Sequence, residues 1–148
     1  MKVDKKNFST LWLENNKIKI IDQTKLPFKF IVKELITLED FCIAIKKMQV
    51  RGAPLIGITA AFGFATSIHK DPSARNIEKT YNALLSTRPT AINLKWALDS
   101  ILSEIKLIQK SRRGIKSLEL AKKMREDDIL NCIKIALNGY KIINEVYK

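Results

Sequence analysis

An arginine, a glycine and a proline stand close together ahead of a run of small and apolar residues, in the segment Arg51-Gly52-Ala53-Pro54. Proline favours the first turn of a helix because its missing N–H would be unpaired there, so a helix is predicted from Pro54 to about His69. The unpaired N–H groups and partial positive charge of a helix start attract anions, and Gly52 lets an anion approach the backbone closely. Arg51 adds a fork of donors, so the segment indicates a small anion site suited to phosphate. The alternative is a helix whose small residues only serve close packing, with Arg51 as a solvated cap.

A second cation is placed in a similar way at Arg88. The following residue, Pro89, pushes Arg88 out of the helical region, and a further helix is predicted from Thr90, acting as its N-cap, to about Gln109. Arg88 is therefore expected to be held extended beside a helix start, either as a second anion ligand or as an ordinary surface-loop arginine.

The remaining candidate groups favour structural roles. His69, the one histidine, is expected to be a favourable charge near a helix end rather than a base, because no carboxylate partner is evident nearby. Cys42 and Cys132 lie in apolar surroundings and are interpreted as free buried thiols. The acidic run 126–128 is expected on the wet face of the last helix, with metal binding as the minor alternative. With one histidine and no cysteine pair at ligand spacing, a metal site is not expected. No cofactor is expected either.

The length of 148 residues is typical of one domain, and the pattern predicts an α+β, mostly α, architecture. Alternation predicts strands at 11–13, 18–21 and 28–32, which would form a small antiparallel sheet within about residues 10–35, after a frayed or loosely docked start over residues 1–9. About five helices follow within residues 37–147; a capping pattern at Thr37 begins the first, which reaches about Gln49. The others are predicted at about 54–69, 74–85, 90–109 and from 117 onward, with a bend or end left open at Asn138-Gly139.

The composition limits the partners. No apolar run is long enough to cross a membrane and no signal-peptide pattern begins the chain, so a cytoplasmic protein with no membrane partner is expected. The net charge of +12 is spread along the chain without a tract of like charges. It therefore indicates mainly a lysine-rich solvated surface, with attraction of anionic small ligands as the alternative, and nucleic acid is not the expected partner.

Two blocks of the sequence resemble the signature blocks of methylthioribose-1-phosphate isomerases: residues 51–63 (RGAPLIGITAAFG) and residues 87–98 (TRPTAINLKWAL). Residues 11–13, 21–27 and 127–133 are also similar and occur in the same order. The isomerases share a superfamily with the regulatory subunits of translation initiation factor 2B and with ribose-1,5-bisphosphate isomerase. The resemblance covers about residues 10–147, nearly the whole chain.

The resemblance implies that this chain supplies substrate-binding residues and that the catalytic residues lie in another domain. Residues Arg51, Gly52, Ala53 and Arg88 would bind a phosphorylated sugar, in an aldose–ketose isomerase of methionine salvage. The catalytic cysteine and aspartate of the family lie in a following Rossmann-like domain, and neither Cys42 nor Cys132 matches the former, so no catalytic residue is assigned here. Residues 1–148 are expected to form a single domain that resembles the N-terminal domain of the isomerase and is inactive alone. A separate C-terminal catalytic half and a homodimer stay open as partners, and the alternative is a non-catalytic regulatory module like the initiation-factor subunits.

Overall fold

The computed structural model describes residues 2–3 and 5–147, and it confirms the α+β, mostly helical architecture. A small N-terminal β region precedes five α-helices in this part of the chain. The strands are β1 (Lys2–Val3), β2 (Lys6–Asn7), β3 (Leu11–Glu14), β4 (Lys17–Ile21) and β5 (Val32–Leu35). The helices are α1 (Leu38–Lys46), α2 (Ala53–Lys70), α3 (Ala74–Leu85), α4 (Ile92–Lys106) and α5 (Arg113–Val146).

The main sheet has three antiparallel strands in the order β3-β4-β5. Asn15 and Asn16, both with positive φ, form the tight turn between β3 and β4, as hairpin turns of this kind require. The predicted third strand at 28–32 is wrong, because the strand begins at Val32. Val32 pairs with Ile21, the last residue of β4, so the residues before Val32 lie beyond the end of β4 and have no strand to pair with.

The start of the chain, which the sequence predicts to be frayed or loosely docked, contains two short strands. Strands β1 and β2, of two residues each, pair antiparallel, with Met1 and Asp4 outside the described residues. Phe8 then packs its ring against Trp12 at 5.8 Å and against Phe30 at 5.0 Å between centroids. These aromatic contacts tie the segment to the main sheet.

Helix α2 is the centre of the core. Ten of its residues from Ile56 to Ala65 are buried, and it packs against each of the other four helices. A helix that is apolar all round must be surrounded by other elements, and the sequence of α2 has this property. The position of its start is therefore fixed by the whole bundle.

The limits of three helices, α1, α4 and α5, differ from the predictions. Helix α1 ends at Lys46, because Met48 has a φ of 55° and turns the chain before Gln49. Helix α4 has Ala91, not Thr90, at its N-cap, and it ends at Lys106 before a short 3-10 turn over Lys110–Arg112.

Helix α5 begins at Arg113, four residues before the predicted start, because Gly114 is inside the helix and packs tightly against His69 of α2. It continues without a break past Gly139 to Val146. No helix in the described part of the chain combines the length and hydropathy needed to cross a membrane.

Candidate functional site

The start of α2 is built as the sequence predicts. Gly52 is the N-cap residue with a φ of 96°, a conformation that favours glycine, and the structure leaves open space around it. Its carbonyl accepts the first helical hydrogen bond from the Ile56 N–H at 3.0 Å. Gly52, Ala53 and Pro54 are all exposed, so the unpaired N–H groups of the first turn face solvent. An anion could reach this helix start without displacing a side chain.

Arg51 is oriented by the loop that follows β4. Its Nε donates a hydrogen bond to Gln23 Oε1 at 3.2 Å, and the Gln23 backbone N–H donates to the Gln49 carbonyl at 2.9 Å. The guanidinium is exposed and keeps its other N–H groups available. Gln23 therefore acts as a positioning residue for Arg51 and was not found from the sequence.

Asp22 fixes the loop that carries Gln23. It is 1% exposed, accepts hydrogen bonds from the Thr24 N–H (3.1 Å) and hydroxyl (2.6 Å), and forms an ion pair with Lys33 at 2.9 Å. Burial raises the pKa of this carboxyl, but the Thr24 hydrogen bonds and Lys33 outweigh that effect, so the net pKa lies below its ordinary value. The paired carboxylate holds the loop in one arrangement.

Arg88 lies in the connection between α3 and α4. It is half-buried, and its carbonyl accepts a hydrogen bond from the Ala91 N–H at 3.0 Å, just before α4 begins. Within the described residues, no hydrogen bond or ion pair engages its guanidinium. Arg51 and Arg88 thus precede different helices and share no partner, so their joint action on one ligand stays a prediction.

The starts of α2 and α4 meet each other. A methyl group added at Gly57 would lie 2.7 Å from the Asn93 carbonyl oxygen, so only glycine permits this approach. Beside the contact, the two helices and the middle of α5 enclose a cleft of about 280 Å³. Its lining is Pro54, Gly57, Ile58, Asn93, Trp96, Met124, Asp127, Asp128 and Asn131. None of the four predicted binding residues lines it, but Pro54 joins the cleft directly to Ala53.

The cleft residues were not predicted as a site. One signal was available in the sequence: Trp96 is off the apolar stripe of α4 and is 59% exposed. Asp127 and Asn131, four residues apart, also place polar groups on one face of α5. The pairing of these two faces depends on helix packing and could not be read from spacing.

The other candidate groups have ordinary surroundings. His69 is exposed in the last turn of α2, as expected. Both cysteines are free, but only Cys42 is partly buried, and burial first, then Glu39, raises the pKa of its thiol. The prediction that Cys132 is buried is wrong, because the second half of α5 extends beyond the core.

Glu126 and Asp127 are exposed and Asp128 is half-buried, consistent with a solvated face. The described residues contain no group of three metal-ligating side chains.

The structure defines a class of protein: a helical domain with a small antiparallel sheet, whose central helix begins at an exposed Arg-Gly-Ala-Pro segment. The Initiation factor 2 subunit family matches residues 49–147, two thirds of the chain, and the chain belongs to that family. The resemblance identified from the sequence is thereby confirmed at the level of the family.

Several relatives that are similar to this chain are methylthioribose-1-phosphate isomerases. A methylthioribose-1-phosphate isomerase from Escherichia coli O45:K1 is 43% identical over 148 residues, covering 99% of this chain and 40% of the relative. The isomerase from Methylorubrum populi is 40% identical with the same coverage. The chain thus spans about 40% of the length of these relatives.

Two solved structures have folds similar to the fold of this chain. The chain is similar to translation initiation factor eIF-2B subunit delta from A. fulgidus, with a TM-score of 0.75 and 32% identity over 83% of this chain and 38% of the other. It is also similar to 5-methylthioribose 1-phosphate isomerase from Pyrococcus horikoshii OT3, with a TM-score of 0.73 and 32% identity over 80% of this chain and 36% of the other. The fold is therefore shared by an enzyme and by an initiation-factor subunit.

Proposed function

We propose that this chain forms the substrate-holding part of an aldose–ketose isomerase that converts 5-methylthioribose 1-phosphate to 5-methylthioribulose 1-phosphate. The observation that supports this most is the exposed Arg51-Gly52-Ala53 segment at the start of α2, in a chain that aligns along 99% of its length with an isomerase. The N–H groups of Gly52 and Ala53 and the guanidinium of Arg51 would bind the phosphate. Arg88 would supply the second cation.

Binding of the phosphate would contribute to the reaction even if the catalytic groups lie elsewhere. The isomerisation moves a proton between adjacent carbons of the sugar, which requires a positioned acid and base. A fixed phosphate keeps those carbons in place during the transfer. We assign no proton-transfer residue in this chain and propose that a further part of the enzyme supplies those groups. This is consistent with relatives of which the chain covers 40%.

The proposal is tested by NMR titration of the chain with methylthioribose 1-phosphate. Half of a site should bind on the order of millimolar, about −4 kcal/mol, with shifts at the amides of Gly52, Ala53 and Arg88. A double variant, Arg51→Ala with Arg88→Ala, should lose these shifts. The matched control is Arg75→Ala with Arg112→Ala, which removes the same charge from exposed positions on α3 and the 3-10 turn.

The control variant separates a site from general attraction. Equal weakening in both double variants would mean that only the net charge attracts the ligand, and the proposed site would be wrong. Turnover is the second measurement: the chain alone should be inactive, and addition of the remaining part of the E. coli relative should restore activity. Failure of two well-folded halves to restore it would contradict the isomerase assignment.

A second candidate function is a non-catalytic regulatory or interaction module. The TM-score of 0.75 to the A. fulgidus eIF-2B subunit delta favours it. This function predicts stable association with another protein that Arg51→Ala leaves unchanged, measured by sedimentation of the wild type and the variant. A cytoplasmic location, the absence of a cofactor, and homodimer formation remain predictions under both candidates.

A further inference from the structure

The cleft between the starts of α2 and α4 and the middle of α5 has both a polar and an apolar wall. Its volume of about 280 Å³ is close to the lower end of the range for small-molecule sites. Sites of this kind combine apolar walls with a few polar groups that fix the orientation of the ligand. The cleft therefore has the composition of a ligand pocket.

The polar wall consists of side chains without protein partners. Among the residues that the structure describes, Asn93, Asp127, Asp128 and Asn131 make no side-chain hydrogen bond or ion pair. Other aspartates of the chain are engaged: Asp22 with Lys33, and Asp99 with Lys95 and Tyr81. Free carboxylate and amide groups that converge on a cleft are suited to accept hydrogen bonds from hydroxyl groups.

The apolar wall has an aromatic ring and a thioether. Trp96 is 59% exposed although it is a large aromatic residue, and the half-buried Met124 of α5 lines the same cleft. Sulfur makes favourable contacts with aromatic rings, so this wall suits an apolar group that itself contains a thioether.

The charge distribution decides which end of a ligand can enter. Asp127 and Asp128 would repel a phosphate, whereas the segment Arg51–Ala53 lies outside the lining and would attract one. Pro54 belongs to the cleft and follows Ala53, so the two regions are adjacent. A ligand with a phosphate at one end and an apolar group at the other would thus lie with its phosphate at the helix start and its apolar end in the cleft.

We infer that this cleft binds the ribose and methylthio end of the substrate, and that Trp96 is the residue that determines specificity for the methylthio group. The inference rests on the proposed function, since it uses the same ligand. Asp128 accepts hydrogen bonds from the ribose hydroxyls, Asn93 and Asn131 accept from them or donate to them, and the Trp96 indole with Met124 contacts the thioether.

The two tryptophans of the chain provide a direct reporter. Trp12→Phe leaves Trp96 as the sole tryptophan. Methylthioribose 1-phosphate should then shift the emission to shorter wavelength, because the methylthio group excludes water from the indole. Inorganic phosphate at equal occupancy of the helix start should leave the emission unchanged. The same shift with both ligands would overturn the inference.

The second measurement compares the affinities of the protein for two sugar phosphates, with and without the methylthio group. By NMR titration, the wild type should prefer methylthioribose 1-phosphate to ribose 1-phosphate by about tenfold, the scale for a small apolar group in a pocket. Trp96→Ala should reduce this preference to less than about twofold while ribose 1-phosphate binds as before, and Trp96→Leu should retain part of it. Leu107→Ala, an exposed apolar truncation at the far end of α4, is the control and should change neither affinity.

The outcomes separate the inference from the function on which it rests. If both sugar phosphates bind through Arg51 but Trp96→Ala leaves their ratio unchanged, the inference is wrong and the proposed function stands. If neither binds the wild type, the proposed function and the inference are both wrong. Because Trp96 is largely exposed, its variants should unfold at nearly the temperature of the wild type, which thermal unfolding checks.

Discussion

At the scale of single residues, Gly57 determines how close the two helix starts can come. A Cβ at this position would lie 2.7 Å from the Asn93 carbonyl oxygen, an atom of the backbone that cannot move without the rest of α4. Gly139, by contrast, is in the exposed half of α5 and has no atom within 4 Å of an added Cβ. The two glycines therefore form a natural pair for one experiment.

Gly57→Ala is expected to lower the free energy of unfolding by about 1–3 kcal/mol, because overpacking forces α2 and α4 apart. It should also weaken sugar-phosphate binding, since the helix starts that frame the cleft would move. Urea denaturation and the NMR titration measure the two effects.

Gly139→Ala is the matched control, and its expected effect has the opposite sign. Alanine is favoured over glycine inside a helix, so stability should rise by at most about 1 kcal/mol. A stable Gly57→Ala protein with unchanged binding would show that close contact between α2 and α4 is not required.

At the scale of elements, the start of α1 shows a local sequence signal that the structure confirms. The Asp40 N–H donates to the Thr37 hydroxyl oxygen at 3.2 Å, and Asp40 Oδ2 accepts from the Thr37 N–H at 2.8 Å. This is a reciprocal capping box. The Thr37 N–H bond is the main cause that holds the pKa of Asp40 below its ordinary value; burial opposes it, and the Thr37 hydroxyl and Ile36 N–H add to it.

The capping box predicts a pH-dependent contribution to stability. Because the pKa of Asp40 is lower in the folded state, its carboxylate stabilises the fold above the ordinary carboxyl pKa of about 4, and this contribution is lost as pH falls through the lowered value. Asp40→Asn should therefore lower the free energy of unfolding by about 0.5–1 kcal/mol at pH 6 and by less at pH 2.5. Urea denaturation at the two pH values measures this difference.

Two further variants complete that experiment. Thr37→Ala should cost about 1 kcal/mol through loss of the N-cap. Glu39→Gln, in the same first turn but without a capping bond, should cost less than Asp40→Asn at pH 6. An Asp40→Asn effect of equal size at both pH values would contradict the role of the ionised carboxylate.

At the scale of the whole molecule, the surface is larger than its mass explains. The accessible surface is 9761 Å², whereas a compact monomer of 16.9 kDa exposes about 7,700 Å². In the second half of α5, several large apolar residues are 50% exposed or more. These include Leu130, Ile133, Ile135, Leu137, Tyr140, Ile142, Ile143 and Val146.

This half of α5 should be the least stable part of the helix bundle. Helices in water gain most of their stability from packing, and residues 113–125 pack on α2 while residues 130–146 extend into solvent. Hydrogen exchange in dilute solution should show amides of 130–145 exchanging at least about tenfold faster than those of 117–125. Equal protection in the two halves would contradict the exposed arrangement, and protection that rises with protein concentration would show that copies of the chain cover it.

Local sequence patterns were sufficient to locate most of the elements and the start of α2. Period-two alternation located β3 and β4, a capping pattern located α1, and Arg51-Gly52-Ala53-Pro54 marked the start of α2. These features depend on residues within a few positions of each other, and the resemblance of whole blocks added the family. Arg51, Gly52, Ala53 and Arg88 as ligands to a phosphate remain predictions from that sequence.

Other features depend on residues that are far apart in the chain, and these became evident only from the packing of the folded protein. Strand β5 begins at Val32 because Ile21 is the end of its partner strand, and α5 begins early because Gly114 packs on His69. The cleft with Trp96 exists because Gly57 lets α2 and α4 meet beside α5. Strand pairing and close helix contact are set by geometry between segments far apart in the chain, and local periodicity carries no information about them.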